Sequence, residues 1–206
     1  MSGPEPRRGR GPRVVGGELG GRRLAAPHGM RTRPTTDRVK EALFAALGPD
    51  RVEGMSVLDV YAGSGSLAVE ALSRGASRAV LVERDRRAAE VARANLSRMG
   101  LAARARVVVR PIRSFLSSPP PPEAPFGLVF LDPPYEQAEQ DLEPVLAGLA
   151  RPGWVDADAR VMMELRAATA PGHRGPAAAG WVPSGWGIAW ERTYGDTLVR
   201  VVAPST

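Results

Sequence analysis

Cysteine is absent from the 206-residue sequence, histidine occurs only at His28 and His173, and Lys40 is the one lysine. Without cysteine the chain forms no disulfide, offers no thiolate to a metal and has no thiol nucleophile. Two histidines do not make a histidine-rich metal site, so no metal is expected. No apolar run approaches the roughly 18 residues that a membrane span needs, so no membrane partner is expected. Residues 1–12 are polar and Arg-rich with no apolar stretch behind them, which is not the form of a secretory signal. These absences fit a reducing, cytoplasmic setting.

What is present is ordinary for a globular chain: 43% apolar and 24% charged residues. Glycine and proline are abundant, at 23 and 20, yet short of the share that marks low-complexity chains. The length suits one domain with a small appendage. Charge is placed unevenly. The first 40 residues hold ten cations against Glu5, Glu18 and Asp37, a net of +7, whereas the whole chain carries +6. An excess gathered on one segment points to a polyanion partner, most often nucleic acid. The plain alternative is a solubilising basic tail.

Along the chain, residues 1–12 read as a disordered basic tail. Residues 13–26 alternate weakly around glycine pairs, as in a β-hairpin. After Arg31-Thr32-Arg33-Pro34-Thr35-Thr36, helical spacing of Val39, Leu43, Ala46 and Leu47 predicts a helix over 37–47, capped by Thr35 or Thr36 and ended by Gly48-Pro49. From residue 55 strands and helices alternate. Strands are predicted at 56–61, 79–83, 106–109, 127–132 and 160–165. Helices are predicted at 66–74, 85–98 and 139–150. Residues 117–125 form a stiff proline-rich loop and 167–185 a further loop. Residues 190–194 and 197–202, around Gly195-Asp196, form a late antiparallel hairpin. Near-continuous apolar strands alternating with helices predict an α/β fold: a mostly parallel seven-stranded sheet covered on both faces, with a C-terminal antiparallel hairpin. The division is a tail at 1–12, a basic extension at 13–50 and the main domain at 51–206.

Ligands in such sheets bind beyond the carboxyl ends of the strands. The first of these ends reads Asp59-Val60-Tyr61-Ala62-Gly63-Ser64-Gly65. The glycines let the backbone approach a ligand and expose N–H groups at the helix start. The loop lacks the lysine of a P-loop. Glu83, with Arg84 beside it, ends the second strand at the distance where an acid accepts hydrogen bonds from ribose hydroxyls. That acid serves NAD and S-adenosyl-L-methionine alike. Asp59 favours the latter, because a carboxylate near the glycine loop suits an ammonium and opposes a pyrophosphate. A glycine turn beside a solvated Glu83 is the reading without a ligand.

The fourth strand ends in Asp132-Pro133-Pro134-Tyr135. Two prolines fix the backbone and remove two donors, leaving a carboxylate, the Pro133 carbonyl and an aromatic face. That set suits a planar base with an exocyclic amine. Asp132 and the Pro133 carbonyl each accept one amino hydrogen, and Tyr135 stacks on the ring. An aromatic amine is a poor nucleophile, and two fixed acceptors turn its lone pair toward a methyl donor, so catalysis is positioning and electrostatics.

With these motifs in place, the sequence resembles the class I S-adenosylmethionine-dependent methyltransferases of exocyclic amines. It most resembles the bacterial small-subunit (16S) rRNA guanine-N2 methyltransferases, the RsmD family. Residues 13–23 (RVVGGELGGRR), 33–43 (RPTTDRVKEAL), 59–75 (DVYAGSGSLAVEALSRG), 132–135 and 194–197 (YGDT) carry the resemblance. It implies a Rossmann-like fold and methyl transfer to a guanine 2-amino group in an assembled small ribosomal subunit. It also implies a monomer. Asp59, Ala62, Gly63, Ser64, Gly65, Glu83 and Arg84 are then the cofactor residues, and Asp132, Pro133 and Tyr135 the catalytic ones. Arg22, Arg23, Arg31, Arg33, Thr35 and Arg38 are the rRNA-binding residues. Where the family has a short polar residue followed by Ala after the third strand, this chain has Pro111-Ile112 and then Arg113. Adenine contacts therefore fall to the Ile112 backbone, with Arg113 nearby. An adenine-N6 methyltransferase shares the Asp-Pro-Pro-Tyr motif, and a non-catalytic RNA-binding module shares the basic arm. An NAD-dependent oxidoreductase is opposed by Asp59.

Overall fold

A computed structural model describes residues 11–26, 37–133, 135–167 and 181–205, without the side chains of 135–140. The expected tail over 1–10, the arm residues 27–36 and most of the 167–185 loop lie outside the described residues. The elements run α1 (Asp37–Leu47), β1 (Ser56–Val60), α2 (Ser66–Ser73), β2 (Arg78–Glu83), α3 (Arg86–Arg98), β3 (Ala105–Val109), α4 (Ile112–Leu116), β4 (Phe126–Leu131), α5 (Tyr135–Leu149), β5 (Val155–Arg166), β6 (Trp186–Tyr194) and β7 (Thr197–Pro204). The seven strands form one sheet in the order β3-β2-β1-β4-β5-β7-β6. The first five are parallel, and β7 runs antiparallel to both β5 and β6. This is the expected α/β architecture with its C-terminal hairpin.

The strands at the centre are apolar because both of their faces are covered. Alternate residues go to opposite layers. Val57, Leu128, Phe130 and Met162 pack with α1, α2 and α3, and Leu58, Val60, Val129, Leu131 and Met163 pack with α4 and α5. Asp85 caps α3 by accepting the Ala88 N–H at 2.8 Å. Gly75, at φ +100°, ends α2 in a conformation that favours glycine.

Four elements differ most from the sequence expectation. A short α4 occupies residues to which the sequence assigns no element. Helix α5 begins at Tyr135, four residues earlier than expected, so it springs directly from the Asp-Pro-Pro-Tyr motif. Strands β5 and β6 are longer at their amino ends. The N-terminal hairpin forms with a single bridge, Arg13 to Arg23, closed by the Val14 N–H to Arg22 carbonyl bond at 2.8 Å.

That hairpin is fastened to α2 by buried polar groups. The fully buried Glu70 accepts the N–H groups of Val15 and Gly16, both at 2.7 Å, and the Arg74 guanidinium at 2.8 Å. Ser73 Oγ accepts the Leu19 N–H at 2.9 Å and donates to the Gly16 carbonyl at 2.5 Å. Gly17 passes so close that a Cβ there would sit 1.8 Å from the Ser73 carbonyl oxygen. Lys40, also fully buried, donates to the Arg13 carbonyl and ion-pairs with Asp37. Burial lowers its pKa from the ordinary lysine value. Removing one partner of a buried polar network leaves the others unsatisfied. Glu70→Ala is therefore expected to lower unfolding free energy by about 3 kcal/mol, read from urea denaturation. A loss below about 1 kcal/mol would show the network to be dispensable.

Candidate active site

The strand order reverses between β1 and β4. After β1 the chain turns to α2 on one face, and after β4 it turns to α5 on the other. The two connections diverge and leave a crevice beyond the carboxyl ends of these strands. Because Val60 lies beside Leu131 in the register, the residues that follow, Tyr61 and Asp132, flank that crevice. The two motifs singled out in the sequence therefore meet in one place.

On the β1 side the glycine loop is held from below. Gly63 and Gly65 take φ of +54° and +79°, and a Cβ on Gly65 would lie 2.9 Å from Leu81 Cδ2. The Gly65 N–H bonds the Ala62 carbonyl at 2.7 Å, and Ala62 is itself tied to Val82. Asn95 of α3, fully buried, donates to the Ser64 carbonyl at 2.9 Å. Its side chain also exchanges two hydrogen bonds with the Ala25 backbone, at 2.8 and 3.0 Å. One amide thus fixes both the loop and the start of the arm. Glu83, at the end of β2, accepts the Gly63 N–H at 2.9 Å and the Asp85 N–H at 2.8 Å. Each carboxylate oxygen has two lone pairs, so acceptor capacity remains for a ligand's hydroxyls.

Asp59 is 2% exposed and accepts the Ala68 N–H at the start of α2, at 3.0 Å. Burial pushes its carboxyl up to about 7, against the Ala68 hydrogen bond and with help from Glu83. The amino end of α2 is therefore already served by a carboxylate. A pyrophosphate at that helix end would meet this acid, whereas an ammonium would be attracted to it. With Glu83 for a ribose, the donor and acceptor set fits S-adenosyl-L-methionine better than a dinucleotide.

The third strand end carries α4. Pro111 precedes it, and its carbonyl accepts the Phe115 N–H at 3.0 Å, so proline here starts a helix. Ile112 is buried and Arg113 exposed. Arg113 bonds Asp141 of α5 at 3.0 Å, and Asp141 also accepts the Tyr61 hydroxyl at 2.9 Å. Tyr61 takes φ +64°, a strained conformation for an aromatic residue, and burial together with Asp141 raises its pKa. The sequence marks Tyr61 only as part of a strand end and gives no sign of Asp141. A positive φ and a contact from two turns along α5 leave no local signature. Arg84, Arg110 and Arg113 are exposed at the same edge and add positive charge around the crevice.

At the end of β4, Asp132 is half-buried and Pro133 buried. Tyr135 begins α5, and its side chain lies outside the described positions. Of the arm residues, Arg22, Arg23 and Arg38 are exposed, and Arg31, Arg33 and Thr35 lie outside the described residues.

Residues 12–202 match the family model described as conserved hypothetical protein 95. The ribosomal RNA small subunit methyltransferase D of Escherichia coli is 35% identical over 189 residues, covering 92% of this chain and 88% of that protein. The protein YlbH of Bacillus subtilis is 42% identical over 134 residues, covering 65% of this chain and 71% of that protein. Among solved structures, the protein yhhF of Escherichia coli superposes with a TM-score of 0.77 at 34% identity, covering 94% of this chain and 98% of that one.

The raised carboxyl of Asp59 makes stability depend on pH. Between the ordinary carboxylate value of 3.8 and about 7 the folded chain holds a proton that the unfolded chain releases. Stability from this group is present at low pH and declines as pH rises through that window. Asp59→Asn, which keeps an acceptor for Ala68, should remove this decline. The measurement is the urea midpoint of both proteins from pH 5 to pH 8. Parallel profiles would place the Asp59 carboxyl at its ordinary value.

Proposed function

The chain belongs to the conserved hypothetical protein 95 family, and we propose that it methylates the exocyclic 2-amino group of a guanine in 16S rRNA, with the small ribosomal subunit as substrate. The observation that carries this reading is the meeting of two strand ends across one crevice. Asp59, the glycine loop and Glu83 lie on one side, and Asp132 and Pro133 on the other. The relatives' names supply rRNA as the substrate class.

Asp59, Ala62, Gly63, Ser64, Gly65 and Glu83 would hold S-adenosyl-L-methionine, with Ile112 packed toward the adenine, Asp59 toward the ammonium and Glu83 toward the ribose. Arg84 and Arg113 are exposed at the rim. When bound, the cofactor supplies an electrophilic methyl group. The protein's own part is to present the amine. Asp132 and the Pro133 carbonyl accept its two hydrogens, which draws the nitrogen lone pair out of conjugation with the ring. The Asp132 carboxylate stabilises the positive charge that develops on nitrogen and takes up the proton that leaves it. Tyr135 stacks on the flipped base. Arg22, Arg23, Arg31, Arg33 and Arg38, with Thr35, contact rRNA phosphates, and the +7 net charge of the first 40 residues supports that role.

Labelled methyl transfer to small subunits lacking the modification tests the reading. Asp132→Ala is expected to reduce turnover by about a hundredfold or more while the dissociation constant for S-adenosylmethionine stays within about twofold. Glu83→Ala is expected to raise that constant roughly tenfold in calorimetry. Near-normal turnover in the first variant would remove Asp132 from the reaction. An unchanged constant in the second would reassign the ribose contact.

A further inference from the structure

Glu164 stands near the carboxyl end of β5 and is 6% exposed, and the mechanism above does not use it. Strands β4 and β5 run parallel with Leu131 beside Met163, so the next pair along the two chains is Asp132 and Glu164. Met162 packs with α1–α3, and Met163 and Leu165 with α4 and α5. Alternation places Glu164 on the α1–α3 face. Phe130 and Leu131 divide in the same way, and continuing that alternation places Asp132 on the same face. Neighbouring strands lie about 5 Å apart. Two acidic residues therefore sit side by side at the edge of the crevice. The turn at residues 194–197 borders them. Thr197 pairs with Arg166, and the Ala167 N–H bonds the Asp196 carbonyl at 2.8 Å, while Tyr194 packs against the α1–α3 layer.

We propose that Glu164 selects guanine by accepting its N1–H beside the 2-amino group held by Asp132. The inference rests on the methyl-transfer reading above and names what chooses the base. A guanine offers two adjacent donors on its Watson–Crick edge, N1–H and the 2-amino group. Carboxyl oxygens accept hydrogen bonds, so two acidic side chains in a row match that edge. An adenine whose 6-amino group occupied the Asp132 position would turn the N1 lone pair toward Glu164, and two acceptors facing each other repel. Asp-Pro-Pro-Tyr serves either amine, so the discrimination has to come from a second group. Glu164 occupies the position next to the first. A site built to hydrogen-bond one group rejects an analogue that lacks it far more strongly than an apolar pocket does.

The test uses small subunits carrying either guanine or 2-aminopurine at the target position. 2-Aminopurine keeps the 2-amino group and replaces N1–H by a lone pair. The full chain is expected to methylate guanine about a hundredfold faster, as kcat/KM, than 2-aminopurine. Glu164→Gln presents an amide that can donate to the N1 lone pair as well as accept N1–H, so it should speed 2-aminopurine transfer relative to guanine transfer. The preference should fall to about tenfold or less, with the S-adenosylmethionine dissociation constant unchanged. A variant that kept the wild-type preference would overturn the proposal. So would a wild-type enzyme that methylated both bases equally, a comparison that needs no variant to fold. If the wild-type enzyme formed no 2-methylguanosine, the methyl-transfer reading would fail and this inference with it.

Discussion

The reversal of strand order between β1 and β4 is the constraint on which the rest of the structure depends. Two adjacent parallel strands send their chains to opposite faces of the sheet, so neither connection covers the gap between them. Everything assigned to the site follows from that divergence. The glycine loop enters α2 on one side, and the Asp-Pro-Pro-Tyr motif enters α5 on the other. The register from Val60 to Leu131 brings the end of the glycine-loop strand beside the end of the Asp-Pro-Pro-Tyr strand. The acids at these ends are held in place by backbone N–H groups, as at Glu83 and Asp59. Acids fixed by backbone donors in this way suit electrostatic and positional catalysis.

The N-terminal hairpin is joined to this arrangement by more than apolar contact. Glu70 and Ser73 bind its backbone, and Val14, Leu19 and Leu24 share the core cluster with α1, α2 and α3. Asn95 bonds the Ser64 carbonyl and the Ala25 backbone through one side chain. That side chain ties Ala25, near the end of the described hairpin segment, to the glycine loop.

Much of this was legible in the sequence, for reasons that differ by element. Strands β1 and β4 are buried on both faces, so their sequences, Ser56–Val60 and Phe126–Leu131, read as short apolar runs. The loops that follow carry the residue types their chemistry needs. Helix α4, five residues long, is too short for periodicity to show. The amino end of β5, Val-Asp-Ala-Asp-Ala, looks like loop because it is half exposed and joins β4 across a bulge between Phe126 and Leu128. The first turn of α5, Tyr-Glu-Gln-Ala-Glu, carries no apolar stripe, so the sequence pattern shows the helix only from its second turn. The contact of Tyr61 with Asp141 and the position of Glu164 come from packing and register across the fold. The residues around each of them give no local sign of it.

The most direct measurement is the identity of the methylated nucleoside. Small subunits lacking the modification would be incubated with the full chain and labelled S-adenosylmethionine, then digested, with the labelled nucleoside identified by mass spectrometry. The account predicts label in 2-methylguanosine. Label in 6-methyladenosine would contradict the assignment of guanine and the role of Glu164. No label in any nucleoside would contradict methyl transfer itself.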